Sequence, residues 1–292
     1  MLISVCTIAK NEVGMLPGML ECLDGLADEI IVLDTGSTDG TRELVHPKTL
    51  IIPSCQFFHD TSAEIFRLDF SRNEAMSRAS GEWLFNFDAD CRLHPGDAEK
   101  VRAMFVSGAF NDYDVVQMRP DPGMIFICHP IFVRHSLGAK YRGRTHERLQ
   151  LPPDVRMGVL PDTVTFTHLR TPDAEGTEAS RCKRLYYIEQ VKRDIADYPD
   201  DWYLHYLLVQ EYKMLGMWKE ARDEALTALS MNAAGDAVAW LHYAVGICAW
   251  NLGATYDGYR ELECNATHFP DHEPTRTAIG QMREFLYPAV TA

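Results

Sequence analysis

Asp88 and Asp90 close an apolar run, Trp83-Leu84-Phe85-Asn86-Phe87, with Ala89 between them. The length and aromatic content of the run are those of a buried strand. Two carboxylates at such a strand end cost free energy unless a cation, a hydrogen-bonding ligand or water meets them. One can face a divalent ion while the other reaches a ribose or sugar hydroxyl. Mg2+ and Mn2+ take one or two carboxylates and complete their shells with phosphate oxygens. An ion held in this way neutralises charge on a leaving diphosphate.

Two earlier apolar runs also end in polar residues. Leu2–Ile8 breaks off at Ala9-Lys10-Asn11-Glu12, and Ile30–Leu33 ends at Asp34. The loop that follows, Thr35-Gly36-Ser37-Thr38-Asp39-Gly40-Thr41, is neither a Walker A loop nor G-x-G-x-x-G. A carboxylate at its mouth suits ribose hydroxyls or a base N–H better than a phosphate. Further along, His146-Glu147 lies between Arg144 and Arg148, and His168 ends the last apolar run of this half. The first pair reads either as a surface ion-pair cluster or as a base with its orienting group. Asp121 and Asp162 are the competing carboxylates.

The elements that must hold these residues follow from periodicity. Leu2–Ile8, Ile30–Leu33, Leu50–Ile52, Trp83–Phe87, Tyr113–Met118, Met124–Val133 and Val164–His168 read as strands. Helices are predicted over Met15–Leu26, near Thr41–Val45, over Phe70–Ala79 with Ser71 as cap, and over Pro95–Phe105. Alternating strands and helices indicate an α/β domain with a mixed sheet. From about Thr171 the character changes. Thr177–Tyr198 is amphipathic, and Tyr203-Leu204-His205-Tyr206 is echoed by Trp240-Leu241-His242-Tyr243. Leu215-Gly216 and Leu252-Gly253 recur at the same offset. Each block reads as helix, glycine turn, helix, of tetratricopeptide-like type, with Glu273–Leu286 as a final helix. The expected division is 1–172 and 173–292. Asp121–Gly123 and Thr171–Gly176 are the segments expected to move.

Composition narrows the classes. With 28 Lys+Arg against 42 Asp+Glu the net charge is −14, which disfavours duplex nucleic acid and anionic membrane. The 8 cysteines form no C-x-x-C pair and read as free thiols of a cytoplasmic protein. No run is long enough for a membrane span, and no signal peptide is expected.

The stretches T-x-x-K-N-E (Thr7–Glu12), D-E-I-I-V-x-D-T-G-S-T-D-G-T (Asp28–Thr41), D-F-S-R-N (Asp69–Asn73) and G-E-W-x-x-x-x-D-A-D (Gly81–Asp90) together resemble the family 2 glycosyltransferases of GT-A fold. The likeness is to bacterial and phage members with a tetratricopeptide-like C-terminal half. It runs in order through the first 90 residues and continues sparsely in G-R-T-H-E at Gly143–Glu147. The resemblance implies a nucleotide-sugar site. Thr7, Ile8 and Glu12 would line it, with Glu12 against ribose. Asp34 would meet uracil or ribose, Asp39 would brace the loop, and Arg72 and Asn73 would sit near base and diphosphate. Asp88 and Ala89 would face ribose or the donor sugar. Asp90 would hold the metal with His168, and the imidazole favours Mn2+ over Mg2+. Glu147 would be the general base of an inverting transfer, with His146 beside it.

The implied reaction is metal-dependent transfer from a UDP-sugar, UDP-glucose or a relative, to an acceptor hydroxyl or thiol. The acceptor would be a protein or peptide held by the helical half, a saccharide or a modified base. The helices could equally serve a homodimer. Two other classes stay open: a helical-repeat adaptor with an inactive first domain, and a nucleotidyltransferase. The latter would need a glycine-rich loop where Ala9-Lys10-Asn11-Glu12 stands.

Overall fold

A computed structural model describes residues 3–44, 48–53, 59–60, 65–122, 131–169 and 177–287. The chain divides into two compact units, Met1–Thr171 and Pro172–Ala292.

The first unit runs β1 (Ile3–Ala9), α1 (Leu16–Cys22), β2 (Glu29–Asp34), β3 (Thr49–Pro53), β4 (His59–Asp60), β5 (Ile65–Phe66), α2 (Leu68–Arg78) and β6 (Trp83–Asn86). It continues through β7 (Cys91–Leu93), α3 (Asp97–Val106), β8 (Val115–Gln117), β9 (Arg119–Pro120) and β10 (Ile131–Arg134). It ends with β11 (Lys140–Arg142), β12 (Arg148–Gln150), β13 (Met157–Val159) and β14 (Thr165–His168). Seven strands form one mixed sheet in the order β13-β8-β10-β6-β1-β2-β3. β1 is central, with β2 and β6 parallel to it on either side, while β10 runs antiparallel to β6 and β8.

Parallel strands covered on both faces must be apolar on both, so β1, β2 and β6 lack polar alternation. Ile3, Val5, Trp83, Phe85 and Phe87 face α1 and α3. Cys6, Ile31, Leu33 and Leu84 face Ala75 and Met76 of α2 and Ala79 at its C-cap. The phenyl rings of Phe85 and Phe132 stack at 3.9 Å across the β6–β10 pair. A second sheet, β7-β14-β9, sets His168 opposite Cys91. That pairing carries residue 168 to the end of the Asp88–Asp90 stretch.

Several local expectations are corrected. Of the helix expected near Thr41–Val45, the described residues show a 3-10 turn, Thr41–Glu43, whose Thr41 side chain bonds Asp39 and the Glu12 N–H. α1 stops at Cys22, and the chain turns through Gly25 at φ 87°. α2 begins at Leu68, so Ser71 is no cap: its hydroxyl donates back to the Arg67 carbonyl at 3.0 Å. The strand expected over Met124–Val133 is described only from Ile131 as β10; His129, Gly123 and the segment 171–176 lie outside the described residues.

The second unit consists, among the described residues, of α4 (Glu178–Asp197), α5 (Trp202–Met214), α6 (Trp218–Ser230), α7 (Ala237–Asn251), α8 (Thr255–His268) and α9 (Glu273–Leu286), each packed on the next. Gly216 and Gly253 end α5 and α7 at φ 69° and 88°, a left-handed conformation that glycine adopts without penalty. The sequence echo is thus a structural one. In each pair the first helix is pinned to the second by a histidine: His205 Nδ1 to Glu224 Oε2 at 2.6 Å, and His242 Nδ1 to Glu261 Oε1 at 2.8 Å. Each contact joins the two helices of one repeat. No helix among the described residues is long and apolar enough to cross a membrane.

Candidate active site

The parallel register of β2, β1 and β6 places three strand ends on one edge of the sheet: Ala9 beside Asp34 on one side, and Asn86, leading to Asp88 and Asp90, on the other. Open α/β sheets bind ligands beyond such carboxyl ends. The first two loops are stitched together there. Asn11, held at φ 57°, donates its backbone N–H to Ser37 Oγ at 2.8 Å and accepts the Thr38 N–H on its Oδ1 at 2.9 Å. The Glu12 N–H donates to Thr41 Oγ1 at 2.8 Å, and the Val13 N–H to Asp39 Oδ2 at 3.1 Å. Asp39 Oδ1 accepts in turn from the Thr41 hydroxyl at 2.5 Å and the Thr41 N–H at 3.0 Å. The hydroxyl first, and the two amides, hold the Asp39 carboxyl below the ordinary range.

Asp34 is wholly buried. Its Oδ1 accepts from the N–H groups of Gly36 and Ser37 at 3.1 and 3.0 Å and from Arg42 Nε at 2.6 Å. Burial pushes its carboxyl up, but bonds from Ser37, Arg42 and Gly36 outweigh it and hold the group low. Its Oδ2 is buried with no hydrogen-bond partner. Such an orphan costs about 1–3 kcal/mol until a donor meets it.

Asp90 Oδ2 lies 3.2 Å from His168 Nε2, and the Leu169 N–H donates to the Asp90 carbonyl at 2.9 Å. Two residues far apart in sequence are thus fixed side by side. Asp88 is turned the other way, toward α2. Arg72 Nη1 donates to Asp88 Oδ1 at 2.9 Å, and its Nε to Glu147 Oε1 at 2.5 Å. Burial opposes the charge on this guanidinium, but the two carboxylates raise its pKa well above the usual value. Neighbouring residues of the same helix hold the same segment. Asp69 Oδ2 accepts the Gly143 N–H at 3.1 Å, and Asn73 exchanges two hydrogen bonds with the Tyr141 backbone at 2.9 and 2.7 Å. Positions 69, 72 and 73 share one helix face, and that face holds 141–147.

Comparison with known proteins now bears on this arrangement. Residues 4–137 match the family described as glycosyl transferase family 2. That match lies within the N-terminal unit. A TPR repeat-containing protein of Synechococcus elongatus is 35% identical over 91 residues, which is 31% of this chain and 21% of that protein. The chain therefore spans about a fifth of the length of this curated relative. Among solved structures, S. aureus TarS is similar at 14% identity over 89% of this chain and 54% of that one, with a TM-score of 0.50. TarS 1–349 in complex with UDP-GlcNAc is similar at 14% identity, covering 98% and 92%, with a TM-score of 0.49. At 14% identity the TarS likeness concerns the fold: a GT-A unit followed by helices.

Within the N-terminal unit, the expected residues fall into distinct settings. Glu12, Asp34 and Asp39 belong to the stitched loops, and Asp90 and His168 to the second cluster. Thr7 is buried inside β1 and Ile8 packs on the α2-side core, so neither side chain reaches the loops. Ala89 is buried too, and its carbonyl accepts from Arg92 at 2.8 Å. Asn73, expected near the diphosphate, spends its amide on Tyr141 instead. His146 sits in the left-handed region at φ 50° in the turn that delivers Glu147. The competing carboxylates are committed elsewhere. Asp162 pairs with Arg119. Asp121 accepts from His94 at 2.7 Å, from Thr165 at 2.6 Å and from Thr167.

Sequence reasoning missed Arg42, whose partner Asp34 stands eight residues earlier, and the Arg72 bridge, whose partners lie on other elements. The i, i+3, i+4 spacing of Asp69, Arg72 and Asn73 was the available signal. No cluster of three or more His, Cys, Asp or Glu side chains suited to a metal occurs among the described residues. Asp90 and His168 therefore supply a carboxylate and an imidazole only. That donor set fits a divalent ion which takes its remaining ligands from diphosphate and water.

Proposed function

We propose that the chain transfers a sugar from a UDP-sugar to an acceptor hydroxyl or thiol, with a divalent metal and inversion at the anomeric carbon. The family 2 unit, taken as 1–172, carries the chemistry, and 173–292 is a separate helical unit. The observation that carries the reading is the meeting of Asp90 and His168 at 3.2 Å beside the strand ends that present Asp34 and Asp88. The orphaned Asp34 Oδ2 supports a ligand with an N–H or O–H to donate, as uracil and ribose have. Asp39 braces the loop, and Glu12 lies at its stitched edge.

Asp90 and His168 would hold the ion, Mn2+ in preference to Mg2+ given the imidazole. The ion supplies charge neutralisation to the departing diphosphate. Glu147 would take the acceptor's proton on the carboxylate oxygen other than the one bonded to Arg72 Nε. The acceptor oxygen or sulfur then forms a bond to the anomeric carbon as the carbon–oxygen bond to the diphosphate breaks, and UDP leaves with the electron pair.

The test is UDP release from a panel of UDP-sugars with Mn2+; slow hydrolysis without acceptor suffices. Release with one sugar, abolished by Asp90→Ala, is the expected result. Failure of every UDP-sugar to bind by calorimetry would leave the adaptor reading. Pyrophosphate release from UTP and a sugar phosphate would make the unit a nucleotidyltransferase.

A further inference from the structure

Arg72 does not stand where a donor contact is needed alone; it stands between two carboxylates that come from different parts of the chain. Its side chain is only 12% exposed, with Asp88 on Nη1 and Glu147 on Nε. The guanidinium carbon lies 5.4 Å from the centre of the Tyr141 ring. The segment bearing Glu147 cannot drift, because Asp69 holds Gly143 and Asn73 holds Tyr141 from the same helix face. The turn between them keeps His146 at φ 50°, a conformation unfavourable for a non-glycine residue and retained only where the surroundings impose it. Glu147 itself is 8% exposed. Arg72 Nε fixes one oxygen of this buried carboxylate.

Resting on the transfer reading above, we propose that Arg72 is a positioning residue: it orients Glu147 and ties it to Asp88. The guanidinium suits this role because its planar fork reaches two acids at once, which a lysine ammonium on a single stem does not reproduce. The charged and titratable groups around Glu147 are Arg72 from α2, Asp88 from the end of β6, Tyr141 from β11, and Arg144, His146 and Arg148 of its own segment. Within this set Arg72 is the cation that α2 brings to Glu147.

The experiment compares wild type with Arg72→Gln, Arg72→Lys, Glu147→Gln and Arg72→Gln/Glu147→Gln. UDP binding in Mn2+ is read by calorimetry, and kcat and KM from UDP release with the active UDP-sugar. Arg72→Gln is expected to leave UDP affinity within about threefold and to lower kcat by about 100-fold. Arg72→Lys should recover about tenfold of the loss. The double variant should be no slower than Glu147→Gln alone, since the two act as one unit. Should Arg72→Gln fail to fold, Arg72→Lys carries the same readings: affinity held with turnover lowered supports the role. UDP affinity lowered tenfold or more with kcat held makes Arg72 a donor contact and overturns it. A wild type that consumes no UDP-sugar overturns the transfer reading and this role together; an active wild type with kcat unchanged in Arg72→Gln overturns this role alone.

Discussion

Each unit of the chain uses pairs of a histidine and a carboxylate, and they use them differently. In the helical unit the pair occurs twice, His205–Glu224 and His242–Glu261, at equivalent places, each joining the two helices of one repeat. In the N-terminal unit Asp90–His168 and His94–Asp121 are not repeats of one another: the first joins the end of β14 to the turn after β6, and the second shares its carboxylate with Thr165 and Thr167. A contact that recurs with the repeat is explained by packing of the repeat. The β7–β14 pairing brings Asp90 and His168 together, but it does so beside Asp88, at the edge where β1 and β2 also end. Chemical type alone does not separate the two uses. Periodicity and position do.

The sharpest way to break this contrast is Asp90→Ala. The variant is expected to lose about 1,000-fold or more in UDP release, because an ion that stabilises a leaving diphosphate contributes several kcal/mol to the barrier. Wild type should gain thermal stability with Mn2+ plus UDP, and Asp90→Ala should not. Equal turnover by the variant would return the pair to the packing class.

His168→Ala tests the other half of the pair with a smaller effect. Loss of the imidazole should raise the Mn2+ concentration needed for half-maximal activity by about 100-fold, of the order seen when a metal site loses a supporting partner. Saturating Mn2+ should restore much of the rate. An unchanged Mn2+ dependence would leave His168 as a strand-end residue.

How far the chain could be read in advance follows the same line. The apolar runs of β1, β2 and β6 are legible because parallel strands buried on both faces have a composition of their own. The loop at Asp34–Thr41 is legible as a ligand loop because its glycines and short polar residues build turns. The partners inside the site are not legible. Arg72 was expected near the donor; what it touches depends on where 141–147 is folded, which no local pattern encodes. Asn73 shows the same limit, since resemblance transfers a residue type and not its hydrogen bonds. Ser71 was read as a cap because it precedes a helical run, but α2 gains an extra first turn that includes Asp69, which is held by Arg67 at 3.0 and 2.8 Å.

Asp121 offers a pH-dependent check that separates structural from catalytic carboxylates. Burial pushes its carboxyl up, but Thr165, Thr167 and His94 hold it down at about 2. In the unfolded chain it titrates near about 3.9. Between those values the unfolded state binds more protons, so the contribution is complete above about pH 4 and is lost as pH falls toward 2. Asp121→Asn should flatten the fall in stability over that window, measured by urea unfolding, and leave UDP-sugar turnover near wild type. A strong loss of turnover at neutral pH would return Asp121 to the list of candidate bases.

The smallest expected effects belong to the repeated pairs. The His205 and Glu224 side chains are 13% and 24% exposed, whereas those of His242 and Glu261 are 38% and 33% exposed. Water screens the second pair more, so its contribution falls at the low end for exposed ion pairs. His242→Ala should cost about 0.5 kcal/mol and His205→Ala about 1 kcal/mol in urea unfolding, with UDP release unchanged in both. The ordering matters more than the values. Packing of the repeat predicts that cost follows burial and that the site is untouched. A His205 or His242 variant that kept its stability but lost turnover would mean that the repeated pairs serve the reaction, and the contrast between the two units would fail at its weaker end.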